Sequence, residues 1–294
     1  MVVSGTVPTE LGDKKIRDLL MQYAVPAIIA MTASSLYNMV DSIFIGHIKD
    51  VGSYAISGLA VTFPLMNIST ALGTLVGVGA STILSMLLGQ RNYQAANKVI
   101  INEVMLNVII GTLYTVITLV FLDPILMFFG ASANTLPYAR DYMVIILIGN
   151  VITHLYFGLN NIIRASGNPK LAMALTIFTV VSNTILDPIF IFWLDMGIKG
   201  AALATVICQL LALVYTVRYF LSGKNYLRLP RRMSEYRLDW RIAKDSLTVG
   251  MGPFLMNSAA CIVTMFINQQ LSKYAGDLAI AAYGLVNRFT FLFL

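Results

Sequence analysis

The sequence predicts an all-α polytopic membrane protein, and three observations carry that expectation. Apolar residues make up 57% of the 294 and charged residues only 12%, a balance for which a water-soluble domain has no interior large enough. The apolar residues gather into long runs, and about 20 residues of helix suffice to cross the hydrocarbon core of a bilayer. Basic residues fall mostly in alternate gaps between those runs, as the charge bias of membrane proteins requires.

Seven complete spans and the start of an eighth follow in order. Leu19 to Ile45 is too long for a removed signal peptide and lacks its cleavage site, so it reads as a retained span. Ser57 to Leu88 carries Gly73, Gly77, Gly79, Ala80 and Ser81, small residues that let helices approach closely. Val99 to Leu122 holds Glu103 near one end, where an interfacial position is expected. Tyr138 to Ile163 holds His154, read as a hydrogen-bonded structural histidine.

Leu171 to Leu194 contains Asp187 directly before Pro188, and Gly200 to Leu221 completes a six-span block. Ser222 to Ser246 is the one long polar stretch between spans, with seven basic residues, and reads as a solvated linker held near anionic lipid. Leu247 to Leu271 is the seventh span, and an eighth begins near Leu278. Cys208 and Cys261 fall inside spans and are expected to pack rather than to pair or bind metal.

Three units are therefore expected: a six-helix lobe over 1–221, a linker over 222–246, and the start of a second lobe over 247–294. A weak repeat supports this division. Pro26 precedes Asp41 by fifteen residues in the first span and Pro253 precedes Asn268 by fifteen in the seventh. The sequence stops inside the apolar run Phe291 to Leu294, so the second lobe is expected to be cut short.

Placing the N-terminus in the cytoplasm puts fifteen of the twenty basic residues on the inner side and four on the outer, the bias expected of a multi-pass inner-membrane (plasma-membrane) protein. The net charge of +6 is thus an anchoring signal, and no nucleic-acid partner is expected.

Carboxylates inside a span cost about 2.5 to 3.5 kcal/mol at the helix centre, so each calls for a partner or a function. Asp41 lies roughly 6 Å and Asp187 roughly 10 Å inside the outer end of its span, at 1.5 Å per residue. Asn183 precedes Asp187 by four residues and Tyr37 precedes Asp41 by four, which puts each pair on one helix face. Thr205 enters its span from the same side. Two carboxylates, an amide oxygen and hydroxyls are hard oxygen ligands, suited to an alkali cation or a shared proton. The alternative is that both aspartates snorkel outward or cap helix ends, with backbone groups freed at Pro188. Arg288, well inside the eighth span, must face water, a carboxylate or an anionic group.

Four stretches, YNMVDSIFIGH, GVGASTILSMLLGQRNYQAAN, IIRASGNPK and NTILDPIFIF followed by GIKGAALATVICQ, resemble the multidrug and toxic compound extrusion (MATE) family in order and spacing. The resemblance covers essentially the whole chain. It implies a twelve-helix exporter of two six-helix lobes, acting as a monomer without a cofactor, that expels amphipathic and often cationic small molecules against an inward flow of sodium ions or protons. It also implies a cation site at Asp41, Asn183, Asp187 and Thr205 with Tyr37 beside it, and no metal beyond that sodium. Asn160, Asn161, Asn268 and Arg288 are further candidates for the cavity. Some relatives carry a functional glutamate in span seven, and here no acid occurs between Asp245 and Asp277.

A lipid-linked oligosaccharide flippase of the same superfamily is the nearest alternative, supported by Arg288 alone. A channel or a seven-helix receptor is suggested by span count. No nucleophile, metal or phosphate motif supports an enzyme.

Overall fold

The computed structural model describes residues 15–48, 52–222, 226–230, 232 and 235–293. In chain order the helices are α1 (Ile16–Gly46), α2 (Gly52–Gly89), α3 (Tyr93–Val120), α4 (Leu122–Phe128), α5 (Leu136–Ala165), α6 (Pro169–Pro188) with a π-helical turn at Ile189–Trp193, α7 (Ile198–Leu221), α8 (Trp240–Tyr274) and α9 (Asp277–Phe293). No strand occurs among the described residues. Seven of these helices, α6 counted with its π turn and α4 and α9 excluded, are long and apolar enough to cross a membrane. The chain is an all-α, multi-pass membrane protein.

Local sequence sets several boundaries. Asn92 begins α3 by accepting a bond from the amide of Ala95 (3.1 Å), and Asn168 begins α6 by accepting from Leu171 (3.3 Å), with Pro169 following at a position where its missing N–H is harmless. Asp239 accepts from Arg241 and starts α8, seven residues before the expected Leu247. That first part of α8 buries Ala243 and Ser246 and keeps Lys244 and Asp245 exposed, so it is helical beyond the purely apolar run. Gly130, at φ +104°, ends the short helix α4 in a left-handed turn that lies against the carbonyl of Asn268. Hydropathy alone does not separate α4 from the end of the third span.

α5 is the central helix, packed against α2, α3, α6 and α7. Two apolar cores lie at its two ends. One contains Leu59, Leu126, Met143, Leu147 and Ile198. The other contains Leu84, Ile100, Leu159, Ile163 and Phe220, and sits at the end that carries Arg91, Lys98, Arg164 and Arg218, called the basic end below. Between the two cores α5 presents Asn150 and His154, both buried.

Residues 226–230 of the linker are docked, while Arg232, Glu235, Arg237 and Arg241 are exposed as expected. Leu227 and Leu229 are buried in the basic-end core, Asn97 bonds the carbonyl of Tyr226 (3.3 Å) and accepts from the amide of Arg228 (2.7 Å), and the Tyr226 hydroxyl donates to the carbonyl of Ser166. Burial pushes the Tyr226 phenol up to about 12. Composition alone marks this segment as polar, and it does not reveal that two leucines pin it.

α8 packs along α2 for most of its length. Toward the basic end, a Cβ at Gly79 would overlap the carbonyl of Ser246 and one at Gly250 would overlap the carbonyl of Leu75, so the two backbones touch. Toward the far end, side chains make the contact: Cys261 donates to the carbonyl of Pro64 (3.2 Å) and Asn268 to that of Ala60 (3.4 Å). Beside the seam Ser57 of α2 donates to the carbonyl of Asp277 at the start of α9 (2.7 Å), Ser132 to the Asp277 carboxylate (2.7 Å) and Gln269 of α8 to the carbonyl of Phe128 in α4 (2.9 Å).

Candidate functional site

A cavity of roughly 270 Å³ opens among α1, α2, α5, α6 and α7. Tyr37 and Asp41 reach it from α1, Asn183 from α6 and Thr205 from α7, while Phe63, Met66, Tyr142 and Phe157 supply apolar and aromatic wall. Helix periodicity explains the arrangement, since Tyr37 and Asp41 are one turn apart on α1 and Asn183 and Asp187 one turn apart on α6. α1 and α6 pack directly together, which brings the two pairs side by side.

A polar chain joins them. The Asn183 amide donates to Asp187 Oδ1 (3.0 Å) and lies 3.5 Å from Thr205 Oγ1. Thr205 gives its own proton to the carbonyl of Ala201 (3.1 Å), so in its 2.9 Å contact with Thr205 the Tyr37 hydroxyl is the donor. Asp187 is fully buried behind Asn183, whereas Asp41, 5% exposed, stands in the cavity wall. The two carboxylates lie close enough to act on each other electrostatically. Asn183 Oδ1 and Asp187 Oδ2 are buried oxygens without a hydrogen-bond donor. Chemically this is a hard-oxygen layer with excess acceptor capacity, a setting that fits a small cation or a proton.

All five residues expected at the cation site are therefore neighbours. The other candidates are scattered. Asn160 lies below the cavity and bonds the Tyr156 hydroxyl, the carbonyl of Ala172 and Thr176, each at 3.3 Å. Asn161 packs toward Gly77. Asn268 lies on α8, bonded to the carbonyl of Ala60 (3.4 Å), in a small crevice with Thr264 and Tyr283 that is separate from the central cavity. The side chain of Arg288 lies outside the described residues.

Sequence reasoning missed a second polar cluster in the cavity. Ser69 donates to Asn150 Oδ1 (2.5 Å) and contacts His154 Nε2 (3.0 Å), and Thr153 donates to Gln209. The signal was present, for Asn150 and His154 are four residues apart on one face of a span. Glu103 also departs from expectation. It is fully buried on α3 against α5, not interfacial, because distance along a helix does not report which face meets a neighbour.

The family model described as MatE matches residues 26–189, more than half of the chain, including Tyr37, Asp41, Asn183 and Asp187. The chain belongs to the MatE family. The multidrug export protein MepA of Staphylococcus aureus (strain MSSA476) is 30% identical over 266 residues, covering 90% of this chain and 58% of that protein. MepA of Staphylococcus haemolyticus (strain JCSC1435) is 32% identical over 273 residues, covering 93% and 59%. The MATE multidrug transporter DinF-BH, solved as a complex, superposes with a TM-score of 0.90 at 35% identity, covering 98% of this chain and 64% of that one. This MatE chain thus spans about three-fifths of the length of the relatives it matches.

Proposed function

We propose that the chain forms the cation-binding lobe of a multidrug exporter, in which a sodium ion or proton entering the Asp41–Asp187 layer drives release of an amphipathic, often cationic, small molecule. One observation carries this reading: Asp41 belongs both to the oxygen layer and to the wall of the cavity. Two carboxylates in one poorly hydrated layer repel, and a cation or proton held between them relieves that repulsion. Neutralising Asp41 also removes the negative charge that a cationic drug would seek in the cavity. Linkage then requires that bound drug weaken cation binding by the same factor. The relatives named for multidrug export and the multidrug transporter DinF-BH support the same substrate class.

Among the described residues lining the cavity there is an acid and no lysine or arginine. That charge pattern favours a cationic cargo over the anionic headgroup of a lipid-linked sugar. In this reading the basic end faces the cytoplasm, the N-terminus is inside, and the protein acts as a monomer in the inner membrane.

Asp41→Asn tests the proposal. In proteoliposomes with an imposed sodium or proton gradient, the variant should insert normally and extrude a cationic dye no faster than empty vesicles leak it. Dye extrusion at the unsubstituted rate overturns the reading.

A further inference from the structure

Glu103 and Asn107 are one turn apart on α3, and both are fully buried. The Asn107 amide donates to Glu103 Oε1 at 2.5 Å. Two atoms of this pair have no hydrogen-bond partner, Glu103 Oε2 and Asn107 Oδ1. As a carboxylate beside an amide oxygen, these are two acceptors with nothing to accept. One proton on Oε2 changes both at once, because the acid can then donate to Asn107 Oδ1 while Asn107 Nδ2 donates to Oε1, closing a two-bond acid–amide ring.

The opposing helix is shaped around the pair. A Cβ at Gly158 of α5 would overlap Glu103 Oε1 and crowd Asn107 Nδ2, and Gly158 in turn lies against Gly77 of α2. These close approaches admit a carboxyl group to a place where an ionised one has no counter-charge. Across from it lies Gly158 of α5 with Gly77 of α2 behind it, α8 packs on α3 through Ala243 beside Leu106, and no ion pair reaches Glu103 among the described residues. His154 lies one turn farther along α5, toward the cavity, with its Nδ1 also unpartnered. Lys98 pairs at the surface with Asp239 (3.9 Å) instead of with Glu103, and Arg164 stands at the end of α5.

We propose that Glu103 and Asn107 form a second proton-binding site, in the basic half of the lobe and separate from the Asp41–Asp187 layer. Glu103 Oε2 takes a proton from a hydronium, leaving water, and returns it when α3 and α5 separate enough to hydrate the carboxylate. The site stands on its own geometry, and only its part in coupling rests on the export reading. His154, bonded to Ser69 in the cavity wall, lies between the two acidic regions.

The chain has three glutamates, Glu10, Glu103 and Glu235, and this makes the test direct. With carbon-13 on the glutamate side-chain carboxyls and the full chain in lipid bilayers, one of three resonances should remain that of an uncharged acid from about pH 5.5 to about pH 7.5, where an ordinary glutamate near 4.3 is charged. It should vanish in Glu103→Gln. Three charged carboxyls at about pH 7.5 overturn the site, whatever dye export does. This measurement needs no substitution, so a variant that fails to fold leaves the test intact. In transport, Glu103→Gln should keep dye affinity and slow proton-driven extrusion at least about tenfold, a loss of roughly 1.4 kcal/mol in coupling. Unchanged, equally pH-dependent extrusion would remove Glu103 from the cycle, and failure of Asp41→Asn alone would leave the inner site standing.

Discussion

The two ends of the α2–α8 seam are closed by different physics. At the basic end, backbone meets backbone at Gly79 and Gly250, and no side chain can be added without prising the helices apart. At the far end, Cys261 and Asn268 of α8 bond the carbonyls of Pro64 and Ala60 on α2, and Ser57, Ser132 and Gln269 tie the neighbouring start of α9 and the end of α4 to the same region. Bonds of that kind are each worth about 0.5 to 1.5 kcal/mol net, since water can replace them. Close packing has no such substitute in lipid or in water. The far end is therefore the softer of the two, able to open in small steps, whereas the basic end separates as a unit or stays shut.

That contrast can be broken most easily at Gly250. Gly250→Leu should destabilise the purified protein by about 3 kcal/mol through overpacking, read as a drop in Tm. Gly252→Leu is its control, because a Cβ there meets nothing, and it should leave Tm unchanged or slightly raised. An equal loss in both would show that the effect does not come from the contact with α2 and would dissolve the distinction between the ends. Next in size, Ser132→Ala and Asp277→Ala should each cost about 1 kcal/mol, with a double-mutant cycle returning a coupling of about 0.5 kcal/mol or more. Zero coupling would mean that the far end is held by something other than this bond.

The smallest effect is expected in the docked linker. Tyr226→Phe should leave global stability within about 1 kcal/mol, yet raise trypsin cleavage at Arg228 and Arg232 several-fold by loosening the segment. The folded-state phenol is shifted upward from the usual 10 to about 12, so this docking contribution is fully present below about pH 10 and is lost as pH rises through about 12. The ultraviolet titration of the unsubstituted protein minus that of the variant should show one phenol ionising near pH 12.

Much of this was legible in the sequence. Hydropathy placed every long helix, and the four-residue spacings of Tyr37 with Asp41 and of Asn183 with Asp187 placed the oxygen layer. Depth along a span was a useful guide there because the two helices are direct neighbours. It failed for Glu103, whose environment is decided by Gly158, a residue 55 positions away that looks like any other small residue in a span. The weak repeat sets Asn268 in register with Asp41, yet its neighbours are Ala60 and Tyr283. The π turn after Asp187 and the short helix α4 were invisible for another reason, since both are local backbone solutions at spans' ends where composition changes little.

The fastened base of α8 has a mechanical meaning. The amide of Asp239 is tied to Asn102 on α3 at 2.9 Å, and Leu227 and Leu229 hold the approach to it. α8 has 35 residues, a rod of about 50 Å, so a swing of about 5° around that footing carries its opposite tip about 4 Å. Such a lever turns a slight adjustment at the basic end into a displacement of several ångströms at the opposite tip.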